Sequence, residues 1–411
     1  MRICGLLGEK LSHSYSPQIH SFFGDYAYTL IEKGREEVEA FMTEKAFDGI
    51  NVTIPYKKTV LPYMDSLSEV ARRLGSVNTV VKRPDGTLFG HNTDYFGFSY
   101  MLEKAGISPE GKKAVVLGSG GASATVCAVL RDKGAGEVVV ISRSGADNYE
   151  NISRHYDGEI LVNTTPVGMY PHVGTSPVNL EAFTRCSGVL DLIYNPDKTA
   201  LLLDAERLGI PYANGLSMLV AQAKESAEYF GEKKLEDRLI DNVTERLRRK
   251  QKNIVLIGMP GCGKSTLGKQ IAEKTDRVFV DADRAIEEKA GTSIPDIFAK
   301  EGEEGFRALE TRVLGELGKE GGQVIATGGG AVTRAENYPL LHQNGVIIWL
   351  QRPVETLPTE GRPLSQKGNL GQMYEERKPL YERFADIVTE NRFETENMME
   401  RVLTLYENFI D

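Results

Sequence analysis

The chain has 411 residues, 41% of them hydrophobic and 26% charged, with a formal net charge of −9. At roughly 150 residues per domain this is material for two or three domains with ordinary globular cores, and the acidic balance argues against nonspecific binding to nucleic acid, whose phosphates need Lys and Arg opposite them. The four cysteines (Cys4, Cys127, Cys186, Cys262) form no C-x-x-C pair, which argues against a disulfide framework and a zinc site and favours a reducing compartment.

The opening MRICGLLGEKLSHS turns polar too early for a signal peptide. No apolar run approaches the ~20 residues that cross a bilayer, so a cytoplasmic protein without a membrane partner is expected. Short β-branched runs then alternate with amphipathic segments, the pattern of parallel α/β sheets. The first hundred residues contain HSYSP (His13 to Pro17), NVTIPYKK (Asn51 to Lys58), GSVNT (Gly75 to Thr79) and NTD (Asn92 to Asp94). Taken singly, Lys57 and Lys58 read as a solvated pair after a strand, and Asp94 as a helix cap.

AVVLGSGGASATV (Ala114 to Val126) reads as strand, glycine turn and helix. Gly118, Gly120 and Gly121 let the backbone approach a pyrophosphate, and the helix start offers it unpaired N–H groups. Ser123 stands at the third glycine position of the dinucleotide fingerprint, and a glycine turn alone is often only a turn. The next strand, GEVVVISRS (Gly136 to Ser144), ends in Ser142-Arg143-Ser144 where an NAD enzyme would carry Asp or Glu. A carboxylate would repel a 2′-phosphate, whereas the planar guanidinium of Arg143 would bind it, so the expected cofactor is NADP(H). NTTPVGM (Asn163 to Met169) and NGLSMLVAQA (Asn214 to Ala223) follow.

In this order the motifs resemble shikimate dehydrogenase over nearly the whole first half. The resemblance implies a two-lobed enzyme with the cofactor between the lobes: an α/β substrate lobe over 1–98, completed by 214–247, and a Rossmann-like NADP lobe over 99–213. It implies that Ser14 and Ser16 hold the substrate carboxylate. Thr53, Asn78, Tyr194 and Gln222 join them in binding shikimate, with Asp94 also on the ring hydroxyls, and Lys57 and Asp94 form the catalytic pair. The cofactor would lie on Gly118, Ser119, Gly120, Gly121, Ala122, Ser142, Arg143, Ser144, Thr165, Gly215 and Met218. Three departures stand out. About one helix and one strand are missing between Arg143 and Asn163, Asn214 replaces the usual Asp, and Tyr95-Phe96 follow NTD where Gly is commoner.

KKLEDRLIDNVTERLRRKQK (Lys233 to Lys252) reads as the end of a helix running into a linker, its basic cluster a solvated helix terminus. A domain boundary is expected near residue 248. Beyond it, GMPGCGKS (Gly258 to Ser265) completes the G-x-x-x-x-G-K-[ST] phosphate loop between a strand (NIVLI) and a helix. Gly258, Gly261, Cys262, Gly263, Lys264, Ser265 and Thr266 would cradle ATP, with Lys264 on the β- and γ-phosphates and Ser265 on Mg²⁺. No guanine-reading N-K-x-D motif follows.

VDADRAIEEKAG, EGEEGFRALE, ATGGGAV, GRPL and ERKPLY then occur in order. From the loop to its end the segment 248–411 resembles shikimate kinase, a P-loop fold of the nucleoside-monophosphate-kinase-like type. That resemblance implies that Asp283 binds the substrate hydroxyls and directs the attacking one, and that Asp281 supports Mg²⁺ through water. Arg307 and Arg377 would clamp the carboxylate, Gly328, Gly329 and Gly330 would admit the ring, and Arg362 would act from a lid. The lid, ETLPTEGR, is short and lacks an earlier arginine, for which Arg352 is a candidate substitute. Together the halves imply one chain catalysing two successive steps on small molecules, reduction of 3-dehydroshikimate and phosphorylation of shikimate. A non-catalytic regulator keeping both pockets should have lost Lys57, Asp94, Lys264, Ser265 or Asp283, and none is lost. An NAD-preferring quinate dehydrogenase disagrees with Arg143. Oligomeric state is not legible in the sequence.

Overall fold

The computed structural model describes residues 2–11, 14–357, 370–391 and 395–410. Three sheets organise them. The first is mixed, with strands β1 (Ile3–Gly8), β2 (Ala27–Glu32), β3 (Gly49–Val52), β4 (Ser66–Leu67), β5 (Thr79–Lys82) and β6 (Leu88–His91) in the order β2-β1-β3-β5-β6-β4. Its register is what builds a site. Asn51 lies opposite Thr79, and Thr79 opposite His91. The ends of three neighbouring strands are therefore level, and the polar residues just past them (Asn78, Thr93, Asp94) converge. Behind them Ile50, Val52, Val80 and Leu88 are buried, each such side chain contributing roughly 1.5–3 kcal/mol on leaving water.

The second sheet is wholly parallel: β7 (Lys113–Leu117), β8 (Glu137–Ile141), β9 (Ile160–Asn163), β10 (Gly188–Asp191) and β11 (Tyr212–Asn214), ordered β11-β10-β9-β7-β8. The strand order reverses between β7 and β9, which is where doubly wound sheets open a crevice at their carboxyl ends. From β8 the chain returns through a short 3₁₀ turn, Ile152–His155, with no further helix or strand before β9. β8 is consequently an edge strand, as the shortened sequence between Arg143 and Asn163 leads one to expect.

After β11 the helix Leu216–Gly231 runs back to the first sheet and packs on the helix Asp94–Lys104. The approach is close because Gly97 has no side chain: a Cβ there would sit 2.7 Å from the Met218 carbonyl oxygen. The next segment departs from the expected linker. Arg238–Gln251 is one helix, with Ile240, Val243 and Leu247 buried along one face. Its many charges hide this i, i+3, i+7 spacing, which is that of an amphipathic helix. Nor is its basic cluster simply solvated, since Arg248 and Arg249 are half-buried.

The third sheet, again parallel, comprises β12 (Asn253–Ile257), β13 (Val278–Asp281), β14 (Gln323–Ala326), β15 (Gly345–Gln351) and β16 (Ile387–Glu390), ordered β13-β14-β12-β15-β16. All five residues of β12 are buried at the centre, so the loop after it opens at the middle of the sheet edge.

The chain divides into two compact units, 1–167 with 176–194 and 204–246, and 168–175 with 195–203 and 247–411. The second unit is thus discontinuous in sequence. Within it the Asp197 carboxylate lies 3.2 Å from the Lys252 ammonium, and the Asp197 N–H donates to Asn344 Oδ1 at 2.8 Å. Burial pushes the Asp197 carboxyl up, but Lys252, Arg248 and Lys198 outweigh that and hold it below the usual range. Among the described residues no helix is long and apolar enough to cross a membrane.

Candidate active sites

In the first unit, β3 ends and the chain turns through residues 54–60, which carry Lys57. Lys57 Nζ donates to Asp94 Oδ2 at 2.5 Å, and Asn78 Nδ2 donates to Asp94 Oδ1 at 2.9 Å. The Asp94 side chain is 7% exposed and that of Lys57 24%, so the ammonium retains a face toward solvent while the carboxylate is enclosed. Gln222 Oε1 accepts from Asn78 Nδ2 at 3.3 Å. Lys57, Asn78, Asp94 and Gln222 form one cluster, with a charged pair able to shuttle a proton and amides around it able to read hydroxyls.

Ser14 Oγ and Ser16 Oγ are 3.1 Å apart at the start of the short helix Ser16–His20. They connect to that cluster through residues that sequence reasoning missed. Ser16 acts electrostatically on the Tyr28 phenol, Tyr28 Oη donates to Asn51 Oδ1 at 2.8 Å, and Asn51 Nδ2 donates to the Asn78 carbonyl at 3.3 Å. Burial drives the Tyr28 phenol far above its ordinary pKa, so it stays neutral and can donate to Asn51. The Tyr194 ring stands edge-on to Tyr15, centroids 5.7 Å apart, beside the two serines. Thr53 closes the end of β3, its N–H donating to the Leu7 carbonyl.

At the crevice of the second sheet, Gly118 has φ +102°, a left-handed conformation that suits glycine. A Cβ there would also meet Thr164 Oγ1 at 2.7 Å and Thr165 Cγ2 at 3.0 Å, so the two loops lining the crevice touch across it. Gly120 and Gly121 face open space at the start of the helix Gly121–Asp132, which also carries Ala122. Thr165 is fixed by two bonds to Asn163 Oδ1, whose amide donates in turn to the buried Asp191. Ser142, Arg143 and Ser144 follow β8 on the same side, with Arg143 and Ser144 exposed. The donors and open backbone suit a pyrophosphate, and Arg143 an adjoining phosphate. Gly215 and Met218 have evident packing roles: a Cβ on Gly215 would overlap the Leu192 carbonyl, and Met218 is buried in the core with Phe98 and Leu190.

In the second unit, the loop after β12 wraps around Lys264, whose Nζ donates to the carbonyls of Gly258 at 2.8 Å and Met259 at 3.0 Å. Gly261 and Gly263 have positive φ, Cys262 is buried, and Thr266 is exposed one residue past Ser265. Ser265 Oγ donates to Asp281 Oδ2 at 2.6 Å. Two hard oxygen ligands therefore meet beside the loop, a donor set that fits Mg²⁺. Asp281 also caps the helix Ala282–Ala290. Burial, and then the Asp281 carboxylate, raise the Asp283 carboxyl above its ordinary value, against the pull of Lys264 and Arg307.

Arg307 is 5% exposed and donates from Nη1 to Glu310 Oε2 at 2.7 Å. Glu310, which sequence reasoning missed, is raised by burial despite Arg307, and the R-x-x-E spacing on one helix face signals it. The glycines after β14 line the same space. A Cβ on Gly328 would sit 2.6 Å from Asp283 Oδ1, one on Gly329 would press on Pro260, and one on Gly330 would overlap the Arg307 guanidinium. Arg377 Nη1 and Tyr381 Oη both donate to the Gly329 carbonyl, at 3.1 and 2.6 Å. Arg352 Nη1 donates to the Gly261 carbonyl at 2.9 Å and borders a cavity of about 890 Å³ lined also by Val354, Tyr374 and Asn391. Arg362 lies outside the described residues.

Comparison with known proteins agrees with both halves. The family model described as shikimate dehydrogenase substrate binding domain matches residues 6–80, and that described as shikimate kinase matches 260–407. Shikimate dehydrogenase (NADP(+)) of Clostridium beijerinckii is 39% identical over 260 residues, 58% of this chain and 95% of the relative. Among solved structures, shikimate dehydrogenase 1 of Peptoclostridium difficile is 38% identical, with TM-score 0.56 over 60% of this chain and 98% of that one. The Thermus thermophilus enzyme, solved in complex with NADP(H) and shikimate, is 31% identical with TM-score 0.54, covering 60% of this chain and 99% of its own.

Proposed function

Since the chain belongs to the shikimate dehydrogenase family and ends in a segment resembling shikimate kinase, we propose that it is a bifunctional enzyme. Its first activity is NADPH-dependent reduction of 3-dehydroshikimate to shikimate, and its second is ATP- and Mg²⁺-dependent phosphorylation of shikimate to shikimate 3-phosphate. The observation that carries this reading is the pairing, in one chain, of an enclosed Lys57–Asp94 couple at 2.5 Å with a phosphate loop whose Ser265 meets Asp281 at 2.6 Å.

In the reduction, bound NADPH supplies the hydride. Ser14 and Ser16 hold the carboxylate, while Gln222, Asn78 and Asp94 orient the ring hydroxyls. Lys57 stands beside the carbonyl, stabilises the oxygen as negative charge develops on it and delivers the proton. Asp94 keeps that ammonium aimed. Thr53 and Tyr194 join in binding the substrate, and Arg143 selects a 2′-phosphate over a free ribose hydroxyl.

In the phosphoryl transfer, Mg²⁺ held by Ser265 and, through water, by Asp281 would offset charge on the β- and γ-phosphates. Lys264 exchanges its loop carbonyls for those phosphate oxygens. Arg307 and Arg377 grip the substrate carboxylate. Asp283 accepts a hydrogen bond from the attacking hydroxyl, and its raised pKa makes it a better proton acceptor than an ordinary carboxylate. The cavity beside Arg352 is of a size to take the nucleotide base. By the resemblance to shikimate kinase, Arg362 would neutralise charge on the transferring phosphoryl group.

The test is incubation with 3-dehydroshikimate, NADPH, ATP and Mg²⁺, followed by mass analysis. A product both reduced and phosphorylated is expected. Reduction without phosphorylation would leave the second half without its assigned activity.

A further inference from the structure

Beneath the Lys57–Asp94 pair lies a buried knot of hydroxyls and amides centred on Ser226, one turn beyond Gln222 on the helix Leu216–Gly231. Ser226 and its neighbours Thr79 and Thr93 have no exposed surface, and Asn78 only 3%. Ser226 Oγ is 2.7 Å from Asn51 Nδ2, 3.0 Å from Thr79 Oγ1, 3.2 Å from Thr93 Oγ1 and 2.9 Å from the Gln222 carbonyl.

Counting donors and acceptors fixes the directions. The Thr93 N–H can only donate, and it points at Asn78 Oδ1 at 2.7 Å, so the carbonyl side of that amide faces Thr93 and Nδ2 faces Asp94 and Gln222. Asn78 Oδ1 has one acceptor position left, yet the hydroxyls of Thr79 and Thr93 both reach it, at 3.1 and 3.2 Å. Only one can have it. The other finds its acceptor among the hydroxyls: Ser226 Oγ, 3.0 Å from Thr79 Oγ1 and 3.2 Å from Thr93 Oγ1, stands nearer to each than they do to one another, at 3.3 Å. Ser226 spends its own proton on the Gln222 carbonyl and its remaining lone pair on Asn51 Nδ2. With Ser226 present every group is satisfied. Without it the spare threonine proton falls back on the other threonine oxygen and the Asn51 amide on Thr79 Oγ1 and the Asn78 carbonyl, at 3.2 and 3.3 Å in place of 2.7 Å, and the amide that orients Asp94 is held by longer bonds.

We propose that Ser226 is a positioning residue for the Lys57–Asp94 pair, acting through Thr79, Thr93 and the amide of Asn78. The role rests on the dehydrogenase reaction assigned above. It touches neither substrate nor cofactor, so its removal acts only through the setting of Asn78 and the acid–base pair and leaves cofactor binding in place.

The test is a double-mutant cycle on the full-length chain, Ser226→Ala, Asn78→Ala and both together, read as shikimate oxidation with NADP⁺. Ser226→Ala is expected to lower kcat roughly tenfold, the worth of about one buried hydrogen bond, with KM for NADP⁺ unchanged within about twofold. In the Asn78→Ala background it should lower kcat no further, because its only route is already gone. Falls that multiply, or an unchanged kcat for Ser226→Ala, would overturn the proposal. Should the alanine variant fail to fold, as judged by a thermal melt, Ser226→Cys keeps the volume with weaker bonds, and the same cycle decides. Wild-type protein inert toward shikimate and NADP⁺ would sink the assigned reaction and this role with it. An active wild-type with multiplying falls would sink the role of Ser226 alone.

Discussion

Replacing Lys57 by Met removes the ammonium and keeps most of the stem. Two effects should follow, and the structure separates them. In catalysis, loss of a general acid–base group lowers turnover by roughly 10²–10⁴, about 3–5 kcal/mol of transition-state stabilisation. In stability, the variant strands the Asp94 carboxylate, 7% exposed and left with Asn78 as its remaining side-chain donor. Breaking a fully buried pair costs about 3–5 kcal/mol. Because the Lys57 side chain is 24% exposed, solvent screens part of that, and about 1–3 kcal/mol is the better expectation. Adding Asp94→Asn should therefore restore the melting temperature and recover no turnover. The assay is the absorbance of the reduced nicotinamide at saturating shikimate and NADP⁺, with phosphoryl transfer measured on the same samples as an internal control. Lys264→Ala should give the mirror image, abolishing phosphoryl transfer and sparing oxidation. A Lys57→Met enzyme keeping a tenth or more of its turnover, or losing kinase activity while folded, would refute the argument.

Arg143→Ala should raise KM for NADP⁺ by roughly tenfold and leave NAD⁺ use unchanged, since one exposed charge-assisted contact is lost; equal effects on both cofactors would count against a 2′-phosphate site. Asp283 holds its proton more tightly in the folded protein than in the unfolded chain. Its ionisation at neutral pH therefore subtracts stability, which returns as pH falls through the folded value toward the ordinary carboxylate value. Asp283→Asn should accordingly raise the melting temperature at pH 7, by about 2–4 °C per kcal/mol recovered, and abolish phosphoryl transfer. A lowered melting temperature would contradict the burial argument. Gly330→Ala drives a methyl group into the Arg307 guanidinium and should raise kinase KM for shikimate by roughly 10–100-fold, which steady-state kinetics would show, with dehydrogenase activity as the unaffected control.

What the sequence discloses is local. The phosphate loop, its flanking strand and helix, and the glycine turn after β7 follow from a few adjacent residues whose backbone demands are specific. The shortened stretch between Arg143 and Asn163 is likewise legible from chain length, and only a 3₁₀ turn stands there between β8 and β9. Long-range polar order is not legible in this way. Asn51 and Ser226 are 175 residues apart, and nothing near either one suggests they meet. Asn78 reads as a ligand for hydroxyls, yet its amide protons already point to Asp94 and Gln222, which makes it as much a holder of the catalytic carboxylate as a substrate contact. Composition misleads at Arg238–Gln251, where charge at most positions conceals three buried aliphatics at helical spacing.

The discontinuity of the second unit bears on how this chain can be dissected. Clipping the gene at Leu247, where the second unit resumes, would discard the stretch 195–203, and with it the anion that neutralises Lys252 and the N–H that satisfies Asn344. Lys252 is 8% exposed, too enclosed for water to stand in fully for the missing partner. The excised piece would be a shorter protein with a flaw at its seam, and a faithful truncation has to carry that loop along.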